Sequence, residues 1–214
     1  MMYCITITQN LYSGGISMFN EKTMALLNKY NSGIGLDISR TSTGVCIWYN
    51  GILSLYRIVT PYKYSKIDSL WEAKMKRSFR KDLLEIVKGK HFEIAVIENT
   101  INGCNAITNK ELVLLNSVFD DLVLEKLCTI EKGKLYRMEC SSWRKYLGGI
   151  APVKKVKDTK LYCESMLDSL DCSFVLDNKD LSINKKKQIG YFDICDSIGI
   201  LIGGMLKDKS KEAE

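Results

Sequence analysis

The sequence predicts an α/β domain in which helices flank a mixed five-stranded sheet, preceded by an N-terminal extension. Its 214 residues, 46% of them hydrophobic and 26% charged, suffice for one sizeable core but not for two large lobes. Strand-like runs come early in the chain, and helix-like and strand-like stretches then alternate. No internal repeat or inter-domain linker is visible. We therefore expect an extension over 1–31, one domain over 32–208 and a charged tail over 209–214.

The first part of the chain predicts a short helix followed by three strands. Asn20 is a suitable N-cap for the helix, because its side-chain oxygen can accept a hydrogen bond from a free backbone N–H. Asn50 and Gly51 lie between two β-rich runs, which is a strong hairpin signal. The three strands are expected over residues 34–38, 44–48 and 52–59.

Helices and strands then alternate. Apolar residues recur at helical spacing over 69–88, and the short apolar run over 92–98 fits a buried strand. A further strand is expected over 134–140, and further helices over 110–128, after Ser141 and Ser142, over 154–170 and over 188–206. Three strands, a helix, a strand, a helix, a strand and helices form the element order of a ribonuclease H-like fold.

Cysteine and histidine usage excludes several kinds of site. The eight cysteines are scattered without a CxxC pair, so zinc knuckles and redox pairs are excluded and buried thiols are expected. His91 is the only histidine, which excludes zinc hydrolases of the HExxH type and HxE deaminases. Without an export signal or an apolar run that could span a membrane, we expect a cytoplasmic protein, in the host cytoplasm if it is viral.

Four carboxylates have unusually apolar neighbours. Asp37 interrupts the first strand, Glu98 ends the run 92–98, and Asp193 and Asp196 share one face of the last helix. Clustered buried carboxylates repel one another, and a divalent cation supplies the missing counter-charge. Oxygen ligands without histidine favour Mg²⁺ or Mn²⁺. Each acid alone has an ordinary structural explanation, whereas the combination is specific because these positions converge at one end of a ribonuclease H-like sheet.

Three segments resemble the acidic motifs of RuvC-type Holliday junction resolvases, namely GLDISRTSTG (35–44), AVIE (95–98) and DICDSIG (193–199). The resemblance implies a homodimer that binds branched DNA and cuts four-way junctions by symmetric paired nicking. It further implies two Mg²⁺ or Mn²⁺ ions per active site, and we expect Asp37 to bridge them because it enters from the central strand. The catalytic metal ligands would be Asp37, Glu98, Asp193 and Asp196.

Basic residues cluster near these acids in the sequence. The net charge of +6 is carried mainly by lysine, which suits contacts with phosphate. Phosphate contacts are expected from Arg144, Lys145, Lys154, Lys155, Lys157, Lys160, Lys185, Lys186 and Lys187. The segments after the first two acids add further expected DNA contacts from Ser39, Arg40, Thr41, Asn102 and Asn105. Trp143 is expected in the core rather than as a platform for stacked bases.

Other functions stay open at this point. A broader nuclease that debranches flaps and forks would use the same residues. A DNA-binding module or recombination partner could keep the fold without catalysis. The segment 35–44 also resembles the phosphate loop of sugar kinases and actin-like ATPases, but the second Asp-Gly-Gly motif and second lobe of those proteins are missing here.

Overall fold

A mixed six-stranded sheet forms the centre of the protein. The computed structural model describes residues 2–5, 19–60, 67–99, 106–148, 165–168, 170 and 191–212. In chain order, the strands of the sheet are β1 (Met2–Ile5), β2 (Ser32–Asp37), β3 (Ser42–Tyr49), β4 (Ile52–Val59), β6 (Ile94–Glu98) and β8 (Leu135–Met138). Two further strands, β5 (His91–Phe92) and β7 (Thr129–Ile130), pair separately.

The spatial order of the sheet is β1-β4-β3-β2-β6-β8. Neighbours from β1 to β2 run antiparallel, whereas β2, β6 and β8 run parallel. The predicted mixed sheet of five strands is confirmed, and β1 adds a sixth strand at its edge. The sixth strand comes from the segment that the sequence identified only as an extension.

Helices cover both faces of this sheet. They are α1 (Glu21–Leu27), α2 (Trp71–Val87), α3 (Ala106–Leu124), α4 (Cys140–Leu147) and α5 (Tyr191–Glu212). Because side chains alternate along a strand, β3 gives Cys46 and Trp48 to the core beneath α1, α4 and α5. The same strand gives Val45 and Ile47 to the core beneath α2 and α3. The fold is therefore a sheet between two helical layers, as the sequence predicts.

Two local predictions are confirmed at the residues that carry them. The Oδ1 atom of Asn20 accepts a hydrogen bond of 2.9 Å from the backbone N–H of Thr23, which caps α1. Asn50 and Gly51 both have positive φ angles, 50° and 79°, as a two-residue type I′ hairpin turn requires.

Several element boundaries differ from the prediction. Helix α4 begins at Cys140, so Ser141 and Ser142 lie within its first turn rather than before it. The run 92–98 is divided between β5 and β6, because β5 pairs with β7 outside the main sheet. Helix α3 begins at Ala106, before the predicted start at 110. Helix α5 continues to Glu212, and Lys211 lies 4.8 Å from the centre of the Tyr136 ring, a tertiary contact that no local pattern reveals. Residues 165–168 are helical, while the rest of the predicted helix up to 164 and the irregular segment 171–187 lie outside the described residues.

A buried polar cluster connects α5 to neighbouring segments by hydrogen bonds, at the end of the sheet opposite the four acids. Asp208 is 2% exposed and accepts hydrogen bonds from Lys134 (2.8 and 2.7 Å), Tyr136 (2.5 Å) and Tyr30 (3.0 Å). Burial raises the pKa of Asp208, but these three donors together outweigh it and hold the pKa below its usual value.

Replacing Asp208 with Asn is expected to destabilise the protein by about 2 kcal/mol, because the charge-assisted hydrogen bonds are lost. The pKa of Asp208 is lowered by folding, so its contribution is present above the unfolded pKa and is lost as the pH falls through the folded one. Urea unfolding at pH 7 and in acid measures both effects. Asp120→Asn is the matched control, since Asp120 pairs with Arg137 at the surface and should cost less than about 1 kcal/mol. Equal losses in the two variants would contradict this role.

The sequence predicts buried thiols and no membrane-spanning helix. Cys46, Cys128, Cys140 and Cys195 are free thiols, and all but Cys140 are buried. Within the described ranges, none of the helices combines the length and apolar character that crossing a bilayer requires.

Candidate metal centre

Asp37 and Glu98 lie side by side because each is the last residue of a parallel strand. Strand β2 pairs with β6 in a register that aligns Leu36 with Ile97, so the residues that follow leave the sheet at the same edge. In α/β sheets the carboxyl ends of parallel strands form the edge at which sites are built. The sheet topology thus brings together two of the predicted metal ligands.

Helix α5 adds the other two acids by lying directly on the sheet. A Cβ atom built on Gly44 would lie 1.9 Å from the backbone oxygen of Asp193, and one built on Gly35 would lie 2.4 Å from that of Ser197. Gly44 is the register partner of Asp37. Only glycine at these positions permits the close approach that places the first turns of α5 beside Asp37.

Gly44→Ala is expected to destabilise the protein by on the order of 3 kcal/mol, because the new methyl group would meet backbone atoms that cannot turn away. Gly33→Ala on β2 is the matched control, since its closest contact, at 2.8 Å, is the flexible end of Met205. Chemical unfolding of both variants provides the measurement. If Gly44→Ala unfolded at the same denaturant concentration as the parent protein, the close approach of α5 would be wrong.

The four carboxylates act on one another electrostatically. The pKa of Asp37 is raised well above its usual value, and burial is the largest cause. The negative charges of three neighbours raise it further, in the order Asp193, Asp196 and Glu98. Only Arg144 among the causes lowers it. The structure therefore brings all four predicted acids to one place.

Two of these acids have polar partners that oppose the effect of burial. Burial raises the pKa of Asp193 to about 6, while the nearby Ser42 hydroxyl and the positive charge of Arg57 lower it. Burial also raises the pKa of Glu98, while a hydrogen bond from Trp143 and the positive charge of Arg144 lower it. Both acids thus have neighbours that favour the charged form, although burial still raises their pKa values.

Arg144 on α4 is a partly exposed basic residue at this site. Its Nη2 atom lies 3.8 Å from Oδ1 of Asp196, and its guanidinium carbon lies 4.9 Å from the centre of the Trp143 ring. About a third of its side chain, 32%, is exposed. Arg144 is therefore close enough to balance part of the carboxylate charge while remaining accessible from solvent.

The donor set fits a hard divalent cation. The candidate ligands are carboxylate oxygens, and burial, followed by the charge of Glu98, raises the pKa of the neighbouring Cys140 thiol to about 12, so it stays protonated. Within the described residues, no three acidic, cysteine or histidine side chains already surround one point at ligand distances. The acids thus lie close enough to raise the pKa of Asp37, but they do not form a complete set of metal ligands around one point.

The segment after Asp37 is held by the protein itself. Ser39 accepts a hydrogen bond of 3.2 Å from the backbone N–H of Ser42, and its hydroxyl also donates to the Ser42 carbonyl. Arg40 forms an ion pair with Glu111 on α3 and donates to Thr108 at 3.4 Å. The side chain of Arg40 is still 38% exposed, and Thr41 is exposed. Ser39 and Arg40 thus have structural partners, and DNA contact by this segment stays a prediction.

Of the other predicted DNA contacts, Lys145 is exposed on α4, beside Arg144. The remaining ones lie outside the described residues, namely Asn102, Asn105, Lys154, Lys155, Lys157, Lys160, Lys185, Lys186 and Lys187. Trp143 is 0% exposed, so its predicted place in the core is confirmed.

Sequence reasoning missed two buried charges near the site. Arg57 follows Leu53 and Leu55 at alternate positions of β4, which places it on a buried face, and it is 3% exposed. Glu111 precedes Leu115 by four residues on α3 and is 1% exposed. Both therefore occupy positions that the apolar pattern assigns to the core, and this pattern could have identified them as buried charges.

The fold is similar to that of solved Holliday junction resolvases. Thermus thermophilus RuvC in complex with a Holliday junction substrate has a TM-score of 0.50 at 11% identity, covering 84% of this chain and 95% of that one. Another Thermus thermophilus RuvC structure gives 0.51 at 13% identity, with 84% and 96% covered. The yeast mitochondrial resolvase Ydc2 gives 0.52 at 12% identity, with 91% and 89% covered. No protein-family model and no curated protein matches the chain. The chain thus has the fold of RuvC-type resolvases, as the three acidic segments predict.

Proposed function

We propose that this chain is a divalent-metal-dependent endonuclease that resolves four-way DNA junctions. The observation that carries the proposal is the convergence of Asp37, Glu98, Asp193 and Asp196 from three separate elements. The charges of the other three acids raise the pKa of Asp37. Perturbed carboxylates at the carboxyl ends of sheet strands are typical of catalytic sites. The fold adds support, because its solved neighbours are a RuvC bound to a Holliday junction and a mitochondrial resolvase.

The four carboxylates would hold two Mg²⁺ or Mn²⁺ ions, with Asp37 shared between them. When bound, such a pair of ions activates water and stabilises the leaving oxygen of a phosphodiester. The chain's own part is to orient the ligands. Ser42 and Arg57 lie near Asp193 and favour its charged form, and the indole of Trp143 positions Glu98. Arg144, partly exposed beside Asp196, would contact the phosphate that lies at the site.

Further contacts with the DNA backbone would come from the exposed side chains around the site. Lys145 and Thr41 lie on the two segments that border the acids. Lysine contacts to phosphate add affinity without sequence information, and they make binding weaken as the salt concentration rises. We propose a homodimer, because two symmetric nicks in one junction require two active sites, and we propose that it acts in the cytoplasm.

Incubation of the purified protein with a synthetic four-way junction and Mg²⁺ or Mn²⁺ tests the proposal. We expect paired nicks at symmetric positions, no cleavage of linear duplex of the same sequence, and loss of cleavage in EDTA. Equal cleavage of flaps and three-way forks would instead favour a debranching nuclease. Junction binding without cleavage would favour a non-catalytic module, and ATP turnover without DNA a phosphotransferase. Analytical ultracentrifugation at micromolar concentration tests the dimer, which a purely monomeric protein would contradict.

A further inference from the structure

One buried tryptophan connects two elements that carry acids of the candidate site. The indole N–H of Trp143 donates a hydrogen bond of 2.9 Å to Oε2 of Glu98. Trp143 itself is fully buried, so this side chain cannot turn away to solvent. A buried donor of this kind holds a carboxylate in one orientation, because a hydrogen bond to a charged group is stronger in the low-dielectric core than in water.

Helix α5 is shaped to receive this tryptophan. A Cβ atom on Gly199 would lie 2.7 Å from Cζ3 of the indole, and one on Gly203 would lie 2.8 Å from the Trp143 carbonyl oxygen. Asp196, Gly199 and Gly203 follow one another at helical spacing and share a face of α5. The surface on which Trp143 rests is therefore continuous with the surface that presents Asp196.

The residue next to Trp143 completes the connection. Arg144 lies over the indole ring, 4.9 Å from its centre, and 3.8 Å from Asp196. Two consecutive residues of α4 thus contact two different acids, Trp143 on the strand side and Arg144 on the helix side. Helix α4 is placed to set the position of Glu98 relative to Asp196.

We propose that Trp143 is a positioning residue for metal binding, which fixes the Glu98 carboxylate through its indole N–H. This inference deepens the proposed function and rests on it, since Glu98 is taken there as a metal ligand. Hydrogen-bond partners of ligating carboxylates typically contribute tenfold to a hundredfold in metal affinity or activity. The N–H of Trp143, rather than its bulk, is the group that matters.

Trp143→Phe tests this, because phenylalanine keeps an aromatic ring in the core and removes the donor. Trp48→Phe is the matched control: Trp48 is also buried, and its indole N–H donates a bond of the same length, 2.9 Å, to the Tyr30 carbonyl at the far end of the sheet. Mn²⁺ binding to the metal-free variants is measured by electron paramagnetic resonance, and chemical unfolding shows whether both fold. We expect Trp143→Phe to weaken Mn²⁺ binding about tenfold or more and Trp48→Phe to leave it unchanged. The Mg²⁺ concentration needed for junction cleavage should rise in Trp143→Phe alone.

A double-mutant cycle with Glu98→Gln separates positioning from general stabilisation. If Trp143 acts through Glu98, Trp143→Phe has little further effect on Mn²⁺ binding once Glu98 is replaced. Equal Mn²⁺ binding by Trp143→Phe and the parent protein would overturn the inference, and so would equal weakening by Trp48→Phe or additive losses in the cycle. A parent protein that binds Mn²⁺ but cuts no branched DNA would contradict the proposed nuclease and leave the role of Trp143 standing. A parent protein that binds no Mn²⁺ would overturn both.

Discussion

Asp37→Asn is expected to abolish junction cleavage while making the metal-free protein more stable. Asp37 is surrounded by three other acids and is desolvated, so its negative charge is unfavourable until a cation is present. Asparagine keeps the shape and removes the charge, which should stabilise the metal-free fold by about 1–2 kcal/mol at neutral pH. The same change removes a shared metal ligand and should lower the cleavage rate by roughly 10³-fold or more.

Junction cleavage under single-turnover conditions and urea unfolding in EDTA measure the two effects on the same preparation. Glu139→Gln is a suitable control, because Glu139 is an exposed acid that precedes α4 and makes no side-chain capping bond. It should change neither quantity appreciably. An Asp37→Asn variant that cleaves at a rate close to that of the parent protein would remove Asp37 from the catalytic ligands. A variant less stable than the parent would contradict the mutual repulsion of the four acids.

Mn²⁺ is expected to stabilise the protein strongly at pH 7.5 and much less at pH 5. Folding raises the pKa values of Asp37, Glu98 and Asp193, the last to about 6, with burial as the largest cause in each case. A carboxyl group with a raised pKa holds its proton more tightly in the folded state. Its contribution to the free energy of unfolding therefore falls as the pH rises from the unfolded pKa to the folded one. Bound Mn²⁺ offsets this loss at pH 7.5, whereas at pH 5 it must first displace protons.

At a free Mn²⁺ concentration of a hundred times the dissociation constant, the stabilisation is about 2.7 kcal/mol. For a protein of this size that corresponds to a rise in melting temperature of roughly 5–10 °C. Differential scanning fluorimetry with Mn²⁺ and with EDTA at each pH isolates the metal effect from other titrations, such as that of Asp208. Asp37→Asn should show little shift at either pH. A shift of equal size at pH 5 and pH 7.5 would place the Mn²⁺ at groups other than these acids.

Much of the fold follows from local patterns in the sequence. The turn at Asn50 and Gly51, the cap at Asn20 and the apolar strand that ends at Glu98 were all predicted, because each depends on neighbours a few residues away. The element boundaries were less accurate where distant contacts decide them. Helix α5 extends to Glu212 because Lys211 contacts the Tyr136 ring and Glu212 pairs with Lys134, and neither partner is near in the sequence.

The four acids were also predicted from the sequence, because their combination within apolar runs is specific although each acid alone has an ordinary structural explanation. What holds them in place was decided only by the tertiary structure. Glycine at position 44 admits the backbone of Asp193, and Trp143 donates to Glu98. The apolar pattern of a sequence indicates that a residue is buried, but it does not show which residue contacts it. Hydrogen bonds and close backbone contacts require distances that are correct to within a few tenths of an ångström between segments far apart in the chain, and only the folded chain sets those distances.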